Sequence, residues 1–410
     1  MAGGGADHGA VTPLHVAIVH LGFARTPNAA ALLASYPVLT RFCRDVAATG
    51  LVRVSVLGRF WRDDELEADG VRYLFRADRS GRAHASPFTR PVALYRLLGE
   101  LAPDVVHVNG FVFPIQVAEL RWRLPGRTPI VIQHHGERPH RWWRTWAQRA
   151  TRGCVDGFLF SADDIADPWR TAGAIGPGQR VLTVLESSSP LAPAPRDGAR
   201  RDTGVRGDPA VLWVGRLHPA KDPLLALESF DRARAHLPNA HLYVVYHEDQ
   251  LLSQMRAVCA ARAGLAERVH FVGAMPHARL PAWFSAADVF LTTSPAEGSN
   301  IALIESLSCG LLPVCSDNPA NRLVTGEGIA GVLFPYGDAD RGAEAIVSAA
   351  VRARRDGDAG RARLRAHFET HLSGPVVARQ AIAAWSTVVA ARRQRSQRPG
   401  RVPPRAQRGE

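Results

Sequence analysis

One short segment, VGRLHPAKDP (214–223), holds the only lysine of the chain, Lys221, together with Arg216. All the other residues in the combined count of lysine and arginine are arginines. An ammonium group is a compact point charge on a flexible stem, whereas a guanidinium is a broad planar fork. We therefore expect Lys221 to reach a narrow anionic group, such as one phosphate oxygen. A diphosphate would suit both cations of this loop.

The pattern around this segment predicts where the two cations lie. The apolar run AVLWVGRL predicts a β-strand, and DPLLALESFDRARAHL predicts a helix with Pro223 at its first position. Gly215, Arg216 and Lys221 then lie between the carboxyl end of a strand and a helix N-terminus. Open parallel sheets bind ligands at that edge, and the free amides of a helix N-terminus favour anions. The segment therefore predicts a phosphate-binding loop beside the helix that begins at Pro223.

A second segment, SPAEGSNIALIESLSCG (294–310), places Glu297 and Glu305 eight positions apart. Glu297 is expected in the loop after a strand, and Glu305 about one turn inside a helix that is apolar nearly all round. A buried carboxylate requires hydrogen-bonding partners, and the hydroxyls of a ribose and a sugar would supply them. The alternative is that both glutamates pair with nearby arginines. The residues expected to face the ligand at this helix start are Gly298, Ser299, Asn300 and Ile301.

Two series of strands and helices must position these groups. Strand patterns alternate with helical patterns in each half of the chain, which predicts two doubly wound parallel sheets. We expect a first unit over 1–195, a second over 208–372, and a Pro- and Gly-rich linker between them. A helix over 376–392 lies outside both series, and 393–410 predicts a disordered basic tail. There is no G-x-G-x-x-G after the first strand and no Walker lysine motif.

Composition bounds the class of protein. The chain has 410 residues and a net charge of +12, and its last twenty residues contain seven arginines and one glutamate. The N-terminus lacks the pattern of a signal peptide, and no apolar run approaches the ~20 residues that span a bilayer. The five cysteines form no CxxC pair, so we expect them reduced and mostly buried. These features favour a cytoplasmic protein without a metal site.

The two segments together resemble the retaining glycosyltransferases of family 4, which have the GT-B fold: two Rossmann-like domains facing across a cleft, with a C-terminal helix that crosses back to the N-terminal domain. The resemblance includes ADVFLTTSPAEG and GVLFPYGD and is thinner in DVVHVNG and IQHHGE of the first half. It implies that Arg216 and Lys221 hold the donor diphosphate. It also implies that Glu297 contacts the donor sugar and that Glu305 binds the ribose.

Further site residues follow from the same resemblance. It implies a histidine that faces the anomeric region of the donor at the end of a strand of the first unit. By position this is His135 of QHHGE, with His134 as the alternative, and a core histidine remains the structural alternative for either. In VHFVGAM, Val272 and Gly273 are expected to contact the donor. The resemblance implies no metal and no cofactor, only a UDP- or GDP-sugar as donor substrate. Arg216, Lys221, Glu297 and His135 are the expected catalytic residues.

The expected activity is transfer of a sugar to a glycan, lipid-linked or small-molecule acceptor, in cell-surface polysaccharide or glycoconjugate biosynthesis. The alternatives are a nucleotide-sugar 2-epimerase of the same fold and a non-catalytic nucleotide-sugar-binding protein. Tryptophans and arginines interleave in 138–152, which suits an acceptor, an anionic membrane surface or a helix with a buried tryptophan face. Together with the basic segment 392–408, the segment 138–152 predicts peripheral contact with the inner membrane face. Binding to a specific nucleic acid is not expected. Glu186 and Ser187–Ser189 have no assigned role.

Overall fold

The computed structural model describes residues 13–23, 26–78, 89–139 and 143–397. Two β-sheets organise them. The first contains β1 (Leu14–Phe23), β2 (Val52–Phe60), β3 (Asp64–Ala68), β4 (Val71–Ala77), β5 (Val105–Asn109), β6 (Ile130–Gln133), β7 (Gly157–Phe160) and β8 (Val181–Thr183). The second contains β9 (Ala210–Gly215), β10 (His241–Tyr246), β11 (Val269–Gly273), β12 (Val289–Thr292), β13 (Leu312–Ser316) and β14 (Val332–Phe334).

The strand order places a ligand edge in each sheet. The first sheet has the order β3-β4-β2-β1-β5-β6-β7-β8, and the second has β11-β10-β9-β12-β13-β14. Each named pair is parallel except β3–β4. The order reverses beside β1 in the first sheet and beside β9 in the second, and parallel sheets bind ligands at such switch points. The loops after β9 and β12 therefore meet at one place, which is where the sequence predicts the phosphate-binding groups.

Helices cover both sheets. In chain order they are α1 (Ala29–Ser35), α2 (Pro37–Ala47), α3 (Val92–Leu101), α4 (Pro114–Arg123), α5 (Trp143–Thr151), α6 (Asp167–Thr171), α7 (Arg196–Thr203), α8 (Pro223–Ala233), α9 (Leu252–Ala261), α10 (Leu280–Ala286), α11 (Ile301–Ser308), α12 (Pro319–Thr325), α13 (Ala339–His371) and α14 (Gly374–Gln397). Helix α13 breaks at Gly357, which has a φ of 50°. Among the described residues, no helix is both long and apolar enough to cross a bilayer.

The terminal helix returns to the first sheet. Trp385 of α14 is completely buried, and its ring packs edge-on against Phe42 of α2 and His107 of β5. The fold class predicted from the sequence, two parallel-sheet units with a C-terminal crossing helix, is thus confirmed. Helix α14 continues to Gln397, into the segment predicted to be a disordered tail, and 398–410 lie outside the described residues.

Two local elements were not predicted. The Pro- and Gly-rich linker between residues 195 and 208 contains the helix α7, which packs against α10. Arg196 and Arg200 of α7 both pair with Asp288, so tertiary ion pairs hold a helix that shows no apolar periodicity. Strand β3 was not predicted, because its alternating acidic residues form a half-exposed edge strand without an apolar run.

Candidate functional site

The loop after β9 carries the single lysine to the switch point of the second sheet. Lys221 Nζ lies 2.5 Å from Glu297 Oε1, which follows β12. The hydroxyl of Thr293 donates to the carbonyl oxygens of Lys221 and Asp222 and so joins the two loops. Both members of the ion pair are largely buried. The structure therefore brings together Lys221 and Glu297, which the sequence separates by more than seventy residues.

Arg216 lies at the open side of the same loop. Its guanidinium is half-exposed, and Nη1 lies 3.7 Å from Glu248 Oε1 in the loop after β10. The backbone amide of Leu217 donates to the carbonyl of Glu248, so the two loops are also joined through the main chain. Glu248 was missed from the sequence, because a charged residue after a strand carries no signal of its own. Arg216 is free to turn toward an anion at little cost, since an exposed ion pair contributes little.

The two helix starts at this edge differ. The carboxylate of Asp222 accepts from the amide of Leu225 and so caps α8. Asn300 stands at the start of α11 with a φ of 46°, and its side chain makes no cap bond but donates to Asn321 Oδ1 at 2.7 Å. The residue before the helix that begins at Pro223 therefore caps that helix with a carboxylate, whereas the residue before α11 provides no side-chain cap. An anion is favoured at the start of α11.

Glu305 lies inside α11 and is 4% exposed. Its Oε1 lies 2.5 Å from Nε2 of His277, which follows β11 and is half-exposed. The side-chain partner of Glu305 is thus a histidine rather than the arginine of the alternative interpretation, and its predicted contact with ribose stays a prediction. The positive charge of Arg41 on α2 of the first unit also acts on Glu305, and Arg41 Nη1 donates to the carbonyl of Ser188. His277 and Arg41 were missed, because only the fold brings them to this carboxylate.

The glycines of the site lie where the backbone needs space. Gly215 ends β9 beside the ring of Trp213, and Gly273 ends β11 at a φ of 85° with open space around its α-carbon. Val272 lies directly before Gly273 and is half-buried. Both residues lie at the carboxyl edge of the second sheet on an outer strand, with β10 between them and β9. Their predicted contact with the donor stays a prediction.

The two histidines after β6 have different environments. His134 is 3% exposed, stacks on Phe160 at 4.8 Å and bonds through Nε2 to the carbonyl of Glu137. The His135 ring turns instead toward the junction of the two units, where Nδ1 lies 2.9 Å from Oε2 of Glu186, which follows β8. Of the two candidates, His134 therefore lies among core aromatic rings and His135 lies in the cleft.

Electrostatics separate His135 from the other histidines of the first sheet. Burial lowers the pKa of His135, but the hydrogen bond and charge of Glu186 and the charge of Glu137 outweigh it and raise that pKa. Burial, and then the charge of His135, lowers the pKa of His20 to about 4. The same causes lower the pKa of His107 to about 3. At neutral pH His20 and His107 are therefore neutral, whereas the two carboxylates beside His135 shift its pKa in the opposite direction.

The serine run after Glu186 links the two units. Ser187 Oγ donates to the carbonyl of Val38 in α2, and Ser188 Oγ donates to the carbonyl of Leu372 before α14. Ser189 Oγ lies 2.9 Å from Ser308 Oγ at the end of α11. All three serines are buried. The run therefore forms the connection at which the chain passes from one unit to the other.

Two parallel sheets that bring a cation, two carboxylates and an uncapped helix start to their switch point define a transferase architecture of the GT-B type. Similarity to known proteins agrees with this class. Residues 208–350 match the family described as glycosyl transferases group 1, and residues 38–177 match glycosyltransferase family 4. Together these matches take in most of both sheets, and the chain belongs to the family 4 glycosyltransferases.

Individual relatives agree with this assignment. The chain is 26% identical over 279 residues to the GDP-mannose:cellobiosyl-diphosphopolyprenol alpha-mannosyltransferase of Xanthomonas campestris, covering 66% of this chain and 71% of the relative. It is 30% identical over 203 residues to a D-inositol 3-phosphate glycosyltransferase of Geodermatophilus obscurus, covering 47% of this chain and 42% of the relative. The second alignment thus spans less than half of that relative.

Solved structures share the fold. Anabaena Alr3699/HepE in complex with UDP and glucose superposes with a TM-score of 0.66 at 15% identity, covering 90% of this chain and 99% of that chain. Sucrose-phosphate synthase from Thermosynechococcus elongatus superposes with a TM-score of 0.65 at 18% identity, covering 92% and 100%. At these identities the likeness establishes the two-unit architecture and leaves substrates undefined.

Proposed function

We propose that this protein is a retaining, metal-independent glycosyltransferase that takes its sugar from a UDP- or GDP-sugar. The observation that carries the proposal is the Lys221–Glu297 ion pair at the switch point beside the uncapped start of α11. A donor diphosphate would take Lys221 and Arg216 as its cations, with the amides at Ser299–Ile301 facing its oxygens. A relative named for GDP-mannose and a fold neighbour with bound UDP are consistent with either base.

The residues of the site have separate roles in this proposal. Lys221, Arg216 and the start of α11 stabilise the negative charge that develops on the leaving diphosphate, a contribution of the kind that is often the largest in catalysis. Glu297, released from Lys221, positions the sugar hydroxyls and stabilises positive charge at the anomeric carbon. Glu305 accepts hydrogen bonds from the ribose hydroxyls. His277, which contacts Glu305 in the structure, either binds the ribose together with it or is displaced by the ribose. The hinge at the serine run allows the cleft to close and exclude water.

In the proposed chemical step, the donor's own diphosphate is both the leaving group and the base. The acceptor oxygen bonds to the anomeric carbon on the face from which the diphosphate oxygen departs, which gives retention. The acceptor hydroxyl proton passes to an oxygen of the leaving diphosphate. No protein nucleophile is needed for this route. In EDTA the route continues, because the two cations and the helix amides neutralise the diphosphate.

The acceptor side of the cleft is proposed to face a membrane surface carrying a lipid-linked glycan. Trp143 and Trp146 at the start of α5 are exposed. Arginines accompany them on the same helix, and exposed aromatics with basic groups suit an anionic interface. The positions 140–142 of the predicted tryptophan-arginine segment, and the basic end of the chain at 398–410, lie outside the described residues.

Product analysis in EDTA tests the proposed activity. The protein is incubated with UDP-glucose or GDP-mannose, and NMR follows the released sugar. Slow donor hydrolysis that first yields the anomer of the donor supports the proposal. Release of the opposite anomer overturns retention, and dependence on added Mg²⁺ overturns metal independence. Release of a 2-epimer would indicate the epimerase, and binding without turnover the non-catalytic alternative.

Sedimentation with vesicles tests the membrane surface. Vesicles rich in phosphatidylglycerol are expected to bind the protein, and Trp146→Ser together with Trp143→Ser is expected to weaken that binding. The control is Ile329→Ser, which removes an exposed apolar side chain from the second unit. Equal binding by neutral and anionic vesicles, or by all three proteins, would contradict this part of the proposal.

A further inference from the structure

Glu186 lies where the two units meet and contacts both. Its Oε2 lies 2.9 Å from His135 Nδ1 of the first unit. Its Oε1 accepts from Ser299 Oγ of the second unit at 3.1 Å, and its backbone amide donates to the same hydroxyl at 3.3 Å. The carboxylate is mostly buried. One side chain therefore joins the cleft histidine to the loop at the start of α11.

The surrounding backbone leaves space for this carboxylate and little more. A Cβ at position 298 would clash with Glu186 Oε1 and would approach the amide of Gly136 to 3.2 Å. The hydroxyl of Ser161 donates to the carbonyl of Gly298 and fixes the same loop to the first unit. A side chain at position 298 would therefore displace the Glu186 carboxylate from its present place.

The hydrogen bonds of the His135 ring suit its charged form. Nδ1 faces a carboxylate oxygen, and Nε2 lies 3.3 Å from Asn109 Oδ1. An imidazolium donates from both ring nitrogens and so satisfies acceptors on both sides. The backbone amide of His135 also donates to Glu137 Oε2 at 2.6 Å.

The titratable groups that face the ring come from four elements. Glu186 follows β8, Glu137 lies in the loop of His135 itself, and His20 and His107 lie on β1 and β5. The two carboxylates favour a charged His135, and the two neutral histidines do not oppose it. Among the described residues, Glu186 provides the carboxylate that contacts a ring nitrogen of His135.

We propose that Glu186 is a positioning residue for glycosyl transfer, which holds His135 as a fixed cation in the cleft and ties it to the Ser299 loop. The proposal rests on the proposed function. The imidazolium then faces the donor beside Lys221 and adds a third cation for the charge of the leaving group. The glutamate favours the charged form of this histidine, because an opposite charge within ~4–6 Å commonly shifts a pKa by about 1 to 3.

The test compares Glu186→Gln with the unchanged protein in two measurements. Histidine-selective labelling and NMR titration give the pKa of His135, whose signal is identified by its loss in His135→Gln. The pH profile of donor turnover gives the activity. Glu186→Gln is expected to lower the His135 pKa by about 1 to 3. Above both pKa values, each lost unit lowers the charged fraction about tenfold, so turnover falls by that factor and recovers as the pH is lowered.

A double-mutant cycle excludes a merely structural effect. If Glu186 acts through His135, then Glu186→Gln costs no further activity in the His135→Gln background. The control is Glu228→Gln, an exposed glutamate on α8 paired with Arg232, which is expected to leave both measurements unchanged. An unchanged His135 pKa in Glu186→Gln, or an activity loss that is equal at every pH, would overturn the proposal.

The two readouts separate this proposal from the proposed function. The NMR titration needs no turnover, so it reports on the Glu186–His135 pair even in a protein that transfers no sugar. A lowered pKa without any donor turnover in the unchanged protein would contradict the proposed function and the catalytic part of this inference. If the unchanged protein turns over the donor normally and Glu186→Gln does not change that turnover, the role of Glu186 is contradicted and the proposed function is not.

Discussion

Lys221 and Glu297 form an ion pair at 2.5 Å that joins the loop after β9 to the loop after β12. These two strands are neighbours in the second sheet although β10 and β11 separate them along the chain. The strand order therefore produces the pair, and each loop alone would leave its charged group unpaired. The pair holds a cation at the switch point in a mostly buried position, where an anionic ligand can exchange for the carboxylate.

The first prediction concerns Lys221. Lys221→Ala is expected to lower donor hydrolysis by about 10²–10³-fold, because removal of one group that stabilises developing charge commonly costs that much. Lys221→Arg is not expected to restore full activity, since a planar fork replaces a point charge. Turnover of UDP-glucose and GDP-mannose measures both effects. The control is Arg341→Ala, which removes an exposed cation paired with Glu344; an equal loss in that variant would contradict the prediction.

The second prediction concerns Glu305. Glu305→Ala is expected to weaken nucleotide binding by about tenfold to a hundredfold, because a hydrogen bond to a charged group contributes about 1.5–3 kcal/mol. Calorimetric titration with UDP and GDP gives the affinity directly. Glu344→Ala, an exposed glutamate of α13, serves as the matched control. Unchanged affinity in Glu305→Ala would show that the carboxylate serves His277 and the fold rather than the ligand.

The third prediction concerns the terminal helix. Trp385→Ala is expected to lower the free energy of unfolding by about 3–5 kcal/mol, because a fully buried tryptophan leaves a cavity. Trp122→Ala removes the same side chain from an exposed position and is expected to change that free energy by less than about 0.5 kcal/mol. Urea unfolding followed by circular dichroism measures both. Equal effects in the two variants would contradict the docking of α14 through Trp385.

The fourth prediction concerns stability in acid. Burial holds the pKa of His107 at about 3, so the folded protein keeps this ring neutral. The unfolded chain takes up a proton below about pH 6.5, so the free energy of unfolding falls as the pH is lowered from there toward the folded value. His107→Phe is expected to make this fall less steep, by up to about 1.4 kcal/mol per pH unit. Urea unfolding between pH 7 and pH 4 measures the slope.

His236→Phe provides the comparison for that slope. This histidine is exposed in the turn that follows α8, so its ring meets solvent in the folded and the unfolded chain alike. The variant is expected to keep the acid slope of the unchanged protein. A His107→Phe protein with the same slope would indicate that other groups cause the acid dependence.

The sequence predicts the strands and helices of both units well, because apolar β-branched runs and amphipathic runs alternate clearly. It misses α7, whose stability comes from the ion pairs of Arg196 and Arg200 with Asp288 rather than from periodicity. It predicts anion contacts at the starts of both α8 and α11, and the structure adds that Asp222 caps α8 whereas α11 has no side-chain cap. Cap bonds depend on side-chain rotamers, which spacing does not reveal.

Partners in the cleft were the least predictable feature. Glu186 had no assigned role in the sequence, and the fold places it between His135 and Ser299. His277 was not singled out, yet it is the partner of Glu305. Such contacts join residues of different elements, and a local pattern holds no information on them. Lys221 and Glu297 were found because each lies in a recognisable strand–loop–helix segment.

The central claim is that a nucleoside diphosphate sugar binds between Lys221 and the start of α11 without a metal ion. Calorimetric titration of UDP-glucose and GDP-mannose in EDTA tests it most directly. One of the two is expected to bind at a single site in the unchanged protein and in Arg341→Ala, and to bind at least about tenfold more weakly in Lys221→Ala. Binding of neither donor, or equal affinity in all three proteins, would contradict the claim.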